Sequence, residues 1–159
     1  MGLEKLAQLG WYKAEPSSPR EIADLFSIVD RSQADLNVEG ISDDLRLHAA
    51  YNGILTLANV ALRASGFRVS PGQGHHQRVI ESLEYTLTTQ DSDARERWVR
   101  KIKAHAQKRN TTSYDSAGGV SPNDLAQIMM DLTALREQVE VCLEETHPEL
   151  LRNDSEQRS

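Results

Sequence analysis

The sequence contains one cysteine, few aromatic residues and no long apolar segment. The single cysteine, Cys142, excludes a disulfide within the chain and a metal site built from several cysteines. It lies in an apolar helical stripe, so we interpret it as a small buried hydrophobic residue. No apolar run approaches the ~20 residues that a membrane-spanning helix needs, and the first residues do not form a secretion segment. We therefore expect a cytoplasmic protein that is not bound to a membrane.

Aromatic residues make up only 5% of the chain, so the core must be mostly aliphatic. No segment alternates apolar and polar residues over a useful length, and neither an internal repeat nor a glycine-rich phosphate-binding fingerprint is present. These absences argue against a sheet-based fold and against the common nucleotide-binding motifs. We expect a helical protein that needs neither a metal ion nor another cofactor.

The net charge of −6 is unevenly distributed along the chain. Residues 95–109 hold seven cations and one anion, a net charge of +6, whereas residues 123–159 hold nine anions and three cations, a net charge of −6. The overall acidity argues against indiscriminate binding of nucleic acids by the whole surface. A basic helix edge and an acidic tail therefore coexist, and the basic edge favours an anionic partner.

Helical periodicity, capping residues and loop signals predict an all-α fold, an antiparallel bundle of four to five main helices with short accessory helices. We expect one domain with a core at about 19–146, an N-terminal appendage at 1–17 and a frayed acidic tail at 148–159. The small residues of the second long helix would let another helix approach closely, so we interpret it as the central one. The predicted helices cover about 3–9, 19–36, 43–65, 75–87, 92–109 and 122–146.

The end of the basic helix carries the strongest candidate site. Trp98, Ile102, His105 and Arg109 are spaced four, three and four residues apart, so they share one helix face at ~3.6 residues per turn. Packing of the first two against the bundle would place His105 and Arg109 near one seam. Arg109 is a planar cation suited to a phosphate, and Asn110 can donate and accept hydrogen bonds. The alternative is ordinary capping and dipole compensation at a helix end.

Arg109-Asn110, with Tyr114 five residues after the arginine, resembles the motif of the HEPN superfamily of small helical bundles. Many members carry an arginine followed five residues later by a histidine, commonly with a polar residue directly after the arginine; here Tyr114 takes the place of the histidine. Segments 49–52, 58–68 and 74–76 resemble two helices and a connecting loop of that family. The resemblance covers about two thirds of the chain, from 42 to 145.

Arg100 and His105 also stand five residues apart and offer an alternative placement of the motif. Both lie inside one predicted helix, where a separation of five residues turns the side chains away from each other. Lys101, rather than a small polar residue, follows Arg100. We therefore place the motif at Arg109.

The resemblance implies a metal-independent endoribonuclease, with two chains dimerised so that both motifs face one cleft. It implies catalytic roles for Arg109, Asn110 and Tyr114. The arginine would steady the scissile phosphate, and the usual histidine would help to move the proton of the attacking 2′-hydroxyl. A tyrosine, with a pKa of ~10, is a poor base near neutrality. Tyr114 can instead donate a hydrogen bond to a phosphate or stack on a base.

Further polar residues surround this motif. We assign Lys101, Lys108 and His105 as RNA-binding residues, with a packed helix histidine as the alternative for His105. We expect His75 and His76 to line the motif cleft. Two adjacent histidines can seldom ligate one metal ion, and no partner with clear ligand spacing is nearby, so we predict no metal site.

Two functions of different classes follow from these observations. The first is an RNA-acting protein, a ribonuclease or the toxin of a toxin–antitoxin pair, with a homodimer and a cognate antitoxin or nucleotidyltransferase as expected partners. The alternative is a non-catalytic dimeric module that binds RNA or a protein such as a nucleotidyltransferase. A purely structural bundle is the third interpretation.

Overall fold

The computed structural model describes residues 2–114 and 120–152, and for 111–114 it describes the backbone alone. The described chain is a helical bundle with one two-stranded sheet, which confirms the predicted all-α fold class. Its elements are α1 (Leu3–Gln8), β1 (Tyr12–Ala14), α2 (Pro19–Asp35), α3 (Asp43–Ala64), β2 (Phe67–Val69), α4 (His75–Glu81), α5 (Leu83–Thr86), α6 (Ser92–Tyr114), α7 (Pro122–Thr146) and a 3-10 helix (Pro148–Leu151).

Side-chain caps fix where the long helices begin, as the sequence predicts. Three serines each accept a hydrogen bond from the backbone N–H three residues later, and an aspartate does the same ahead of the basic helix. The caps are Ser18, Ser42, Asp91 and Ser121, with N···O distances of 3.1, 3.1, 2.8 and 3.0 Å respectively. Prolines in the first turns of α2 and α7 have no N–H to leave unpaired there.

Helix α3 is the centre of the bundle, as expected from its broad apolar face. It contacts α2 and α7 along its length and also meets α4, α5, α6 and β2. At Gly53 the approach of α7 is close, because a Cβ atom there would lie 2.9 Å from Cδ1 of Leu132. The core is aliphatic, and Trp98, Ile102 and Cys142 are buried in it as predicted.

The N-terminal segment, which we expected as an appendage, packs on the bundle through a short sheet. Strand β1 pairs antiparallel with β2, and Tyr12 lies opposite Val69. The Tyr12 ring is buried, and its hydroxyl donates a hydrogen bond to the backbone oxygen of Arg78 at 2.7 Å. Both strands have three residues, too few for a period-two pattern to identify them.

A buried arginine holds the same segment in place. Arg63 of α3 is only 3% exposed, and its guanidinium donates to both carboxylate oxygens of Glu21 at 3.0 and 2.9 Å. It also donates to the backbone oxygens of Glu15, Pro16 and Phe67. The hydrogen bond from Arg63 holds the pKa of Glu21 below its ordinary value, so this carboxylate stays charged at neutral pH.

Three boundaries differ from the sequence prediction. Helix α6 continues past Arg109 to Tyr114, and the helix predicted at 75–87 is divided into α4 and α5. Residues Pro148–Leu151, which we expected to fray, form a 3-10 helix that contacts α2 and α7. The rest of the predicted acidic tail, 153–159, lies outside the described residues.

No helix within the described ranges combines the length and the apolar character that crossing a membrane would require.

Candidate functional site

Arg109 lies at an open cleft and is held there by two residues of α3. Its guanidinium carbon is 5.1 Å from the centre of the Tyr51 ring, a cation–π contact. Its Nε donates a hydrogen bond to Nδ1 of His48 at 3.3 Å. Both contacts come from the central helix, so the cation has a defined position before any ligand binds.

The cleft has a volume of about 420 Å³ and is formed by α3, α4 and α6. It brings together Arg109 and Asn110, which are neighbours in sequence, with His76 from a different helix. Asn110 is exposed, so its amide is accessible from solvent. The complete lining is Tyr51, His76, Gln77, Ile80, Lys103, Ala106, Gln107, Arg109 and Asn110.

His76 is a titratable group of this cleft, and its pKa determines whether it can accept a proton at neutral pH. Burial lowers the pKa of His76 below its ordinary value of 6.5, and the positive charges of His75 and Arg109 lower it further. The imidazole is therefore neutral at pH 7 and can accept a proton. His75 and His76 are both exposed, so the desolvation of His76 is partial, and their ring centres lie 6.0 Å apart.

Sequence reasoning missed the two residues that hold Arg109. We singled out neither His48 nor Tyr51 as a candidate site residue. Burial raises the pKa of Tyr51 although Arg109 opposes the shift, so its phenol stays neutral. The available signal was a histidine and a tyrosine about one turn apart on the central helix, but the sequence does not reveal which cation they meet.

The structure argues against the RNA-binding role assigned to His105. Its side chain is 6% exposed, and its Nε2 lies 2.7 Å from Oδ2 of Asp131, which is equally buried. The other carboxylate oxygen of Asp131 accepts a hydrogen bond from Gln127 at 3.0 Å. The burial fits the alternative interpretation, a packed helix histidine, because an RNA cannot reach a side chain enclosed between α6 and α7.

The two lysines assigned to RNA binding are exposed, but each faces a carboxylate of α7. The amino group of Lys101 lies 3.7 Å from Asp131, and that of Lys108 lies 2.5 Å from Asp124. The hydrogen bond from Lys108 lowers the pKa of Asp124. The acidic half of the sequence thus partly neutralises the basic helix, and an anion would meet a weaker field than the local charge of +6 suggests.

The third motif residue, Tyr114, has a described backbone but no described side chain, so its assigned role stays a prediction. Its backbone lies in the same helix as Arg109. Positions five apart in an α-helix are about 140° apart around the axis, so one helix does not place 109 and 114 side by side. The argument that disfavoured Arg100 and His105 therefore applies equally to this pair.

Chemically, the cleft offers a positioned guanidinium, a neutral imidazole and an exposed amide. These groups suit a phosphate oxygen, a transferable proton and a polar ribose or base edge respectively. No group of three or more histidine, cysteine or acidic side chains in the described ranges could hold a metal ion.

Comparisons with protein-family models, curated proteins and solved structures gave no match.

Proposed function

We propose that this chain is a HEPN-type protein that acts on RNA and cleaves it without a metal ion. The observation that carries the proposal is the cleft that Arg109 and Asn110 share with His76. A fixed cation beside a neutral histidine is what cleavage by the RNA's own 2′-hydroxyl requires. The site uses the nucleic acid as its nucleophile, so no metal-bound water is needed.

In the proposed reaction, the Arg109 guanidinium binds the scissile phosphate and stabilises the negative charge that develops on it. His76 removes the proton of the 2′-hydroxyl, and that oxygen attacks phosphorus. The bond to the 5′-oxygen breaks, and this oxygen takes a proton from solvent. The products are a 2′,3′-cyclic phosphate and a 5′-hydroxyl. Asn110 orients the ribose or phosphate, and Tyr114, about 140° around the helix from Arg109, donates a hydrogen bond to a neighbouring phosphate rather than to the scissile one.

The test is incubation of the purified protein with total cellular RNA in the presence of EDTA. We expect cleavage by the parent protein, loss of cleavage in Arg109→Ala, and a decrease of at least about 100-fold in His76→Gln, which removes the base. His147→Gln, a change at a histidine that lines neither this cleft nor its neighbour, is the matched control and should stay within a few-fold of the parent. Tyr114→Phe reports whether the phenol contributes.

The second candidate function is a non-catalytic helical module that binds RNA or a protein partner such as a nucleotidyltransferase. The continuous backbone of α6 from Arg109 to Tyr114 favours it, because one helix does not align the two ends of the motif. An intact parent protein that binds RNA, loses binding in Arg109→Ala and cleaves nothing would support this candidate and contradict cleavage.

If the protein cleaves RNA in the cytoplasm, we propose that it acts there as the toxin of a toxin–antitoxin pair. Expression of the parent should then arrest growth, and Arg109→Ala should relieve the arrest at equal protein level. A cognate antitoxin or nucleotidyltransferase should co-purify with the parent and restore growth. Growth that is unaffected by the parent at high expression would contradict the toxin role and leave the cleavage assay as the remaining test of the enzyme.

A further inference from the structure

A second, smaller cleft lies directly beside the Arg109 cleft. It has a volume of about 220 Å³ and is enclosed by α2, α3 and α4. Four aliphatic side chains line it, namely Leu25, Ile28, Leu55 and Val79, with Thr56, Asn59, His75 and His76 as the polar lining. His76 lines both clefts, so the two are adjacent and share one side chain.

We propose that this second cleft receives an unpaired nucleobase of the RNA whose neighbouring phosphate is bound at Arg109. The inference rests on the proposed function and specifies its substrate as single-stranded RNA. The shared residue His76 then lies at the ribose between base and phosphate, where the 2′-hydroxyl is located.

The composition of the cleft supports a base as its occupant. A nucleobase presents two flat apolar faces and a polar edge, which match an aliphatic pocket with one amide and flanking imidazole rings. The volume is below the ~300–1,000 Å³ typical of pockets for drug-sized ligands, so a single ring system suits it better than a larger molecule.

Asn59 is the residue best placed to recognise the polar edge of the base. It lies on the central helix, is half-buried in the cleft lining, and its amide makes no hydrogen bond to any described residue. An amide can donate and accept at once, as a base edge requires. A paired base cannot enter such a cleft because its edge is already occupied and its faces are stacked.

The test measures binding by fluorescence anisotropy in EDTA, with RNA carrying 2′-fluoro groups so that it cannot be cleaved. Three labelled probes of equal length are compared: a single strand, the same strand annealed to its complement, and a strand without bases. We expect the single strand to bind about tenfold more tightly than the other two, because only it can place a base in the cleft. Arg109→Ala should weaken all three.

Two matched variants on α3 isolate the amide. Asn59→Leu keeps the side-chain volume but removes the polar edge, and we expect it to lower single-strand affinity roughly fivefold without changing duplex affinity. Asn52→Leu is the control, because this exposed amide faces Ser32 of α2 and does not line the cleft. Thermal unfolding of both variants shows that they are folded.

Equal affinity for the three probes, with no effect of Asn59→Leu, would overturn the base site. If Arg109→Ala still weakened binding in that case, the proposed RNA-binding function would stand without it. Absence of binding to every probe would overturn both.

Discussion

At the scale of single residues, two arginines of this chain serve opposite purposes. Arg63 is enclosed and donates to a carboxylate and three backbone oxygens, which ties the N-terminal segment to the core. Arg109 stacks on Tyr51 at an open cleft. The first is a structural group because its donors are satisfied within the protein. The second is a candidate binding group because the surface it lines is accessible to a ligand.

Replacement of Arg63 by methionine should lower the free energy of unfolding by about 3 kcal/mol, because it leaves buried backbone oxygens without donors and removes the partner of Glu21. Urea denaturation measures this change. Arg68→Met is the control, since Arg68 is half exposed and pairs with Glu15 at the surface. We expect the control to change stability by less than about 1 kcal/mol. Equal effects of the two substitutions would contradict the role given to Arg63.

The His76 imidazole should titrate below its ordinary value of 6.5. Because protonation is disfavoured, the neutral base predominates at pH 7, and cleavage should rise with pH through the lowered pKa and then level off. Proton NMR of the histidine ring signals measures the midpoint. Arg109→Ala should raise the midpoint, because one of the positive charges that lower the pKa is removed. A His76 midpoint above 6.5 in the parent would contradict this electrostatic account.

At the scale of elements, the position of α7 on α3 depends on the absence of a side chain at Gly53. A Cβ atom there would lie 2.9 Å from Leu132 and 3.4 Å from Cβ of Ser32, so α2 and α7 both approach this position. The side chains of Leu132 and Ser32 therefore fill the space that a side chain at position 53 would occupy. His48 and Tyr51, which hold Arg109 at the cleft, lie within about a turn and a half of Gly53 on the same helix, so packing of the core and the geometry of the site are coupled.

Gly53→Val should destabilise the protein by about 2 kcal/mol, because a branched side chain forces Leu132 out of its packed position. Asn52→Val introduces the same residue one position away on the exposed side of α3 and controls for the helix propensity of valine. The difference between the two free energies of unfolding, measured in urea, isolates the packing effect. A Gly53→Val protein as stable as the control would show that α7 can move away from α3 without cost.

The outcome for α6 illustrates how far local rules extend. Periodicity predicted that Trp98 and Ile102 pack against the bundle, and both are buried; Asp91 caps the start of the helix. The C-terminal end was placed at Arg109, but the helix continues to Tyr114. Residues 110–114 contain neither glycine nor proline, so nothing in their backbone chemistry stops a helix.

At the scale of the whole molecule, we predict a homodimer in which the Arg109 clefts of two chains face each other. Light scattering at micromolar concentration should give twice the monomer mass of 17.8 kDa. Asn110→Cys should cross-link two chains on oxidation, whereas Val38→Cys, at an exposed position after α2, should not. The native Cys142 is buried and does not interfere. A monomeric mass at micromolar concentration would contradict this prediction.

The sequence by itself determined the helical class, the helix starts and the apolar faces of this protein. Each depends on residues only a few positions apart: a serine three residues before the N–H it caps, or apolar side chains that recur every turn. The broad apolar face of α3 also identified it as the central helix. These properties depend on residues close together in the sequence, so they can be predicted without the tertiary structure.

Only the tertiary structure decided which polar residues meet. Arg109 and His48 are 61 residues apart in sequence, and Arg63 and Glu21 are 42 apart. His105 and Arg109 share a helix face in the sequence pattern, yet the first is buried against Asp131 and the second reaches an open cleft. The reason is physical: helix periodicity fixes a direction around one axis, but burial and contact depend on where the neighbouring helices end.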